Sequence, residues 1–322
     1  MLALVIIAVS FTVTFLIFPV VIPRLIKAGI TGKDMNKPGG WPVVAEMGGL
    51  VIMAGFGAGI IAIVASETFS REILNTDLAQ ILAVFSVILI MTLIGVVDDL
   101  IGISKVTKAV LPLLSSLPMV AIKAGQTLMF LPLIGPTDLG VVYSLVLVPV
   151  GITGAANACN MLAGFNGLEI GMSMVAMAAL AIIAYSIGAN TSFLLLLAAL
   201  GALLAALRYN WHPARVFIGD TGTFSLGAII ASAVILGNFE AAGIIIIFPY
   251  AADFFLKLFH GFPSTGWWGI YKDGKLFCPE TGPVGLAQLV MKMFGSISER
   301  NLVLVLIGIE AVFGVIAVLV YA

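Results

Sequence analysis

Apolar residues in this chain gather in long blocks separated by polar connections. Ten blocks of 16 to 22 residues can be drawn, at 3–22, 45–66, 78–97, 108–123, 140–158, 168–187, 191–207, 220–237, 240–257 and 301–321. Each comes close to the roughly 20 apolar residues that a helix needs to cross the hydrocarbon core of a bilayer. The pattern predicts an all-α polytopic membrane protein of about ten transmembrane helices. It forms one transmembrane domain over residues 1–322, with an insertion at 259–300.

That insertion has its own pattern. Trp267, Trp268, Ile270 and Tyr271 precede Asp273-Gly274, and Leu276 and Phe277 follow. Asp-Gly between apolar runs predicts a β-hairpin. Val284, Leu286, Leu289, Val290, Met293 and Phe294 then recur at helical spacing. They predict a short amphipathic helix lying along the leaflet. The paired Trp and the Tyr fit an aromatic belt at the headgroups. Packing of the segment over the spans would account for the same residues.

Charge sorts the connections into two classes. Of the fifteen Lys and Arg, only Arg71 and Lys123 fall after even-numbered spans. Lys/Arg excess marks the cytoplasmic side. Both termini are therefore expected outside, with the odd-numbered connections, 259–300 included, in the cytoplasm. The first block lacks a basic leader and a clear small-residue cleavage site, so it reads as a retained span.

Composition narrows the class. The chain is 61% hydrophobic and 10% charged, with a mean hydropathy of +1.20, which excludes an ordinary soluble domain. A net charge of −1 argues against a nucleic-acid binder, which needs a concentrated basic surface. Cys159 and Cys278 both map to the inner side and read as two ordinary thiols.

The rare polar residues cluster on that same side. Asp98 and Asp99 end the third span, and Lys108 follows near the start of the next. After a short turn the lysine would return to the acids. Such a trio suits a divalent metal, a phosphate group, or a general base beside an anion. An interfacial acid pair neutralised by nearby lysines is the plainer reading. Asn157, Asn160 and Asn166 stand within ten residues, with Gly164 and Gly167 among them. Asn157 and Asn160 share a helix face, and amide carbonyls suit a hard cation. Asn and Gly also cap helices and form turns. Asp220 opens a span, where it either balances the helix dipole or ligates a metal at the depth of Asp98 and Asn160. Arg208, His212 and Arg215 stand just before it, and Glu46 opens the second span on the same side. Glu310 lies alone in the last span and reads as a structural acid.

Three stretches together carry a resemblance: Asp98-Asp99 with Lys108; Asn157-Ala158-Cys159-Asn160-Met161-Leu162-Ala163-Gly164-Phe165-Asn166-Gly167-Leu168-Glu169; and Tyr209-Asn210-Trp211-His212-Pro213-Ala214-Arg215-Val216-Phe217-Ile218-Gly219-Asp220-Thr221. The chain resembles the polyprenyl-phosphate N-acetylhexosamine-1-phosphate transferases, nearest their eukaryotic-type UDP-N-acetylglucosamine–dolichyl-phosphate branch. The similarity extends from Asp34-Met35-Asn36-Lys37 to Ile297-Ser298-Glu299-Arg300-Asn301-Leu302.

The resemblance implies transfer of N-acetylglucosamine 1-phosphate from UDP-N-acetylglucosamine to dolichyl or another polyprenyl phosphate, with release of UMP; the same reaction with another UDP-N-acetylhexosamine is the alternative. It implies Mg²⁺, or Mn²⁺ in its place, held by Asn160 and Asp220, with three catalytic residues: Lys108 on phosphate, and the acidic pair Asp98 and Asp99, one of which deprotonates or positions the lipid phosphate. Gly164 and Asn166 match a uridine-binding stretch. Glu46 matches an acid near the nucleotide-sugar pocket. Asn157, Glu169, Arg215 and His260 complete the expected binding set, His260 being the one residue that offers the chemistry of the His/Arg cluster common in the family's ninth connection. Ala163 stands where the cell-wall branch has Asp, which argues against peptidoglycan synthesis. The short ninth connection implies an archaeal plasma membrane, with the endoplasmic reticulum as the alternative. A homodimer is compatible with such a chain, though no patch specifies one. An ion-coupled transporter and a non-catalytic lipid or nucleotide binder are the rivals from other classes. The decisive expectation is that Asp98, Asn160 and Asp220 converge.

Overall fold

The computed structural model describes residues 1–35, 37, 40–69, 76–131, 135–263 and 266–321. Arg71, assigned by sequence to an even-numbered connection, lies outside the described residues.

The chain is a bundle of helices with three small hairpins. In order it runs α1 (Leu2–Lys27), β1 (Thr31–Lys33), β2 (Val43–Ala45), α2 (Gly49–Phe69), α3 (Leu78–Ile101), α4 (Lys105–Val110), α5 (Pro112–Ser115), α6 (Leu117–Ala121), β3 (Leu128–Leu131), β4 (Gly135–Asp138) and α7 (Gly140–Val142). A π-helical turn at Tyr143–Leu147 joins α7 to α8 (Val148–Met161) in one rod. Then follow α9 (Leu168–Ser186), α10 (Asn190–Asn210), α11 (Gly219–Gly237), α12 (Glu240–Phe259), β5 (Ile270–Lys272), β6 (Lys275–Phe277), α13 (Leu286–Phe294) and α14 (Glu299–Tyr321). Among the described residues, nine helical segments are long and apolar enough to cross a membrane.

The fourth of the ten expected spans is broken into α4, α5 and α6. Pro112 and Pro118 each stand in the first turn of a new short helix, where a missing N–H is tolerated, but neither could sit inside one unbroken rod without disturbing it. The segment still travels the depth of the bundle. Lys108 at its start meets Asp98 and Asp220. Gly125, just past its end, abuts Tyr143, whose hydroxyl donates to Glu240 at the start of α12.

Helix α11 is the central pillar, buried from Thr221 to Leu236 and touched by α2, α3, α8, α9, α10 and α12. Its first turn lies in near-backbone contact with two neighbours. A Cβ on Gly49 of α2 would strike Thr221 and Gly222, and one on Gly95 of α3 would strike Asp220 and Thr221. Small residues at crossings let helices approach this closely. The contact at Gly95 brings Asp98 and Asp99, one turn further along α3, beside the start of α11.

The Asp273-Gly274 hairpin is present. β5 and β6 pair antiparallel with Lys272 opposite Lys275, and both turn residues have positive φ, as the tight turn requires. The 3-residue pairing of β1 with β2 and the hairpin β3–β4 were not anticipated. The amphipathic helix is α13, but its buried face, including Leu286, Val290 and Met291, packs on the protein beside α12 and α14. Its end, Lys292, Met293 and Phe294, is exposed. Glu310 is fully buried in α14 and does not line the cavity described next.

Candidate active site

The expected trio converges. Gly102 ends α3 with a positive φ, and Ser104 caps α4 through the Thr107 N–H. The chain therefore reverses within a few residues, and Lys108 swings back against the acids. Its ammonium lies between two carboxylates, forming an ion pair with Asp98 and donating to Asp220 Oδ2 at 2.7 Å. Asn160 Nδ2 donates to Asp220 Oδ1 at 2.8 Å and to Thr223 Oγ1 at 2.8 Å. Asp98, Lys108, Asn160 and Asp220, from four separate helices, thus form one connected cluster.

The two neighbouring aspartates do different things. Asp98 is buried; its Oδ1 accepts the Ile103 N–H at 2.9 Å and its Oδ2 faces Lys108. Asp99 lies against the N-terminus of α11, where its carboxylate accepts from Asp220 N–H at 2.7 Å, Thr221 N–H at 3.0 Å and the Thr221 hydroxyl at 2.6 Å. A carboxylate there satisfies free N–H groups and opposes the helix dipole. Asp99 is the clamp that fixes Asp220.

A cavity of about 890 Å³ opens over the cluster. Lys108, Asn160, Asp220 and Thr223 line its floor, with Glu46, Asn157, Gly164 and Glu169 further round the wall. Asn157 donates to Thr153 O, its own preceding turn, at 3.0 Å. Glu169 accepts the Gly164 N–H. Glu46 is half-buried; burial, then the nearby carboxylates of Asp99 and Asp220, push its pKa up. One side of the cavity is apolar, built from Ala109, Leu113, Val150 and Phe254.

Three expected residues are placed elsewhere. Asn166 turns away from the cavity and donates to Asp34 Oδ2 at 3.0 Å. Arg215 is exposed and outside the cavity lining. His260 is exposed, with its Nδ1 on Leu256 O at 2.7 Å; it folds back on its own helix. The ninth connection contributes other residues to the wall. Trp267 lies on Gly164, where a Cβ would run into the indole, and meets Phe165 edge-on. That placement replaces the headgroup role expected of Trp267. Lys257 sits 6.0 Å from the Trp267 ring centre, pairs with Asp253 at 2.7 Å and donates to Met161 O. The signal for it was an Asp and a Lys four apart in an apolar span, a helical ion-pair spacing. Among the described residues, no three His, Cys, Asp or Glu side chains form a metal cage.

Residues 81–238, which hold the whole of this cluster, match the family model described as glycosyl transferase family 4. A Saccharolobus solfataricus protein, provisionally named a UDP-N-acetylglucosamine–dolichyl-phosphate N-acetylglucosaminephosphotransferase, is 33% identical over 97% of this chain and 95% of its own length. The chain belongs to glycosyl transferase family 4. Within the family, a Dictyostelium discoideum UDP-N-acetylglucosamine–dolichyl-phosphate N-acetylglucosaminephosphotransferase is 28% identical over 90% of this chain and 81% of its own. A Halalkalibacterium halodurans phospho-N-acetylmuramoyl-pentapeptide-transferase is 32% identical over 74% of this chain and 75% of its own. Glycosyl transferase family 4 therefore joins this chain to archaeal, eukaryotic and bacterial relatives.

Proposed function

We propose that this family-4 protein transfers N-acetylglucosamine 1-phosphate from UDP-N-acetylglucosamine to dolichyl or another polyprenyl phosphate, releasing UMP. The observation that carries the reading is Lys108 held between Asp98 and Asp220, beside Asn160, at the floor of a cavity with one apolar wall. The polar floor suits a diphosphate. The apolar wall suits the first units of a prenyl chain, whose phosphate stays at the membrane surface. The names of the archaeal and Dictyostelium relatives support the same pair of substrates.

In the proposed step an oxygen of the lipid phosphate attacks the phosphorus that carries the sugar. The bond from that phosphorus to the bridging oxygen breaks, and the bridging oxygen leaves with its electron pair on UMP. Anion meets anion, so cationic charge at the floor is the main requirement. Lys108 supplies it. A phosphate monoester loses its second proton near pH 6, so the acceptor is already a nucleophile at neutral pH. Asp98 then acts as a positioning residue that aims Lys108, and Asp99 as one that aims Asp220.

Asp220 and Asn160 fit a divalent ion that arrives on phosphate. Mg²⁺ is commonly held by one or two carboxylates plus substrate oxygens, and this floor offers that smaller donor set. When bound there, Mg²⁺ or Mn²⁺ would neutralise charge on the diphosphate. The Lys/Arg excess of the odd-numbered connections supports a cytoplasmic cavity, with the termini outside and the 259–300 insertion of a single 1–322 domain inside.

The test is UMP release by the purified protein with UDP-N-acetylglucosamine, dolichyl phosphate and Mg²⁺, run beside UDP-N-acetylgalactosamine. Lipid-dependent UMP release is expected with the first donor. Its absence with every prenyl phosphate tried would end the reading.

A further inference from the structure

Two segments that share the family resemblance, around Asp34–Lys37 and Ser298–Asn301, take no part in the chemistry above. They meet each other. Glu299 opens α14 and is buried, as are Asp34 and Asn166. Lys37 pairs with Glu299 and with Asp34 Oδ1 at 2.7 Å. The other oxygen of Glu299 accepts the Asn166 N–H at 3.0 Å, and the Asn166 side chain donates to Asp34 Oδ2 at 3.0 Å. Asp34, Lys37, Glu299 and Asn166 close a ring. His212 Nε2 lies 3.8 Å from Glu299 at its edge, and the next N–H, that of Gly167, is held by Asn210 Oδ1 at 3.1 Å.

The ring joins two rims of the cavity from behind. Gly32, Lys33 and Met35 line one rim, and Ala163, Gly164 and Phe165 the other. Buried ion pairs contribute little net stability compared with apolar packing of the same shape, whereas removing one partner leaves a stranded charge. Such a ring is thus better suited to holding a geometry than to holding the fold.

We propose that Glu299 is a positioning residue for the donor end of the cavity. With Lys37, Asp34 and Asn166 it clamps the first connection to the turn between α8 and α9, so that Met35 and Gly164 keep the separation that the nucleotide sugar requires. This rests on the donor reading given under Proposed function.

Two readouts on the purified protein test it. In Glu299→Ala, the KM for UDP-N-acetylglucosamine is expected to rise about tenfold or more. The KM for dolichyl phosphate and the kcat at saturating donor stay within about threefold of wild type. Glu299→Gln keeps an acceptor for the Asn166 N–H and recovers part of the loss. Should Glu299→Ala fail to fold, Glu299→Gln carries both readouts. Amide exchange without substrate is expected to quicken at 31–35 and 163–167 in the variant. Glu240→Gln disturbs a partly buried bond to Tyr143 at the far end of the bundle and serves as the comparison. Unchanged exchange in those two stretches, an unchanged donor KM, or an equal donor KM rise in Glu240→Gln would overturn the clamp. If wild type never turns over UDP-N-acetylglucosamine, the donor reading falls, while the exchange pattern still decides whether the clamp exists.

Discussion

At the scale of single residues, Lys108 is the group on which the proposed chemistry turns. Its ammonium touches both Asp98 and Asp220. Lys108→Met should lower kcat roughly 10²–10³-fold, the loss typical of removing one electrostatic stabiliser of a transition state, as read by UMP release with thermal stability measured in parallel. Asp99→Asn should behave differently. It replaces one oxygen by a donor facing the N–H groups of α11, so it should lower stability and activity together. Glu46 gives a test in pH. Its pKa is raised above the ordinary 4.5 by burial and by Asp99 and Asp220. A raised carboxyl pKa means that the folded state binds the proton more tightly than the unfolded state. The ionised form therefore weakens the fold above the raised value, and that penalty vanishes below about 4.5. Glu46→Gln should unfold at a higher temperature than wild type at pH 7.5, with the gap narrowing as pH falls. A gap that widens in acid would contradict the assignment.

At the scale of elements, the approach of α3 to α11 decides where the acids stand. Gly95→Ala puts a methyl into the backbone of Asp220 and Thr221, and overpacking of this kind costs typically about 1–3 kcal/mol. It should lower the melting temperature and weaken UMP release although Gly95 itself carries no chemistry. Elements with local rules were legible in the sequence. Asp273-Gly274 announced its turn, and the apolar blocks announced their helices. Lys108 could be returned to Asp98 because only a short turn lies between them. The break at Pro112 and Pro118 was missed, because an apolar block of that length reads as one span whatever prolines it holds. The duty of Asp99 was not legible, since its partners lie 121 and 122 residues away on α11. Trp267 was misplaced for a similar reason. An indole suits a headgroup belt, and only the bare backbone of Gly164 reveals that it turns inward.

At the scale of the whole molecule, the sorting of charge predicts which end meets the cytoplasm. Single cysteines at Thr281 and at Thr137, in a background lacking Cys159 and Cys278, should react with impermeant thiol reagents from opposite sides of sealed vesicles. Labelling from the same side would invert the topology. The salt link between Lys37 and Glu299 spans 262 positions, and this separation bears on biosynthesis. The loop after α1 leaves the ribosome long before its partner at the head of the final helix. A nascent protein can therefore set Lys108 against Asp98 early, yet it cannot brace the rims at Met35 and Gly164 until translation is almost complete. Truncation before Glu299 would leave a precursor in the membrane with the floor of its site built and one wall still loose.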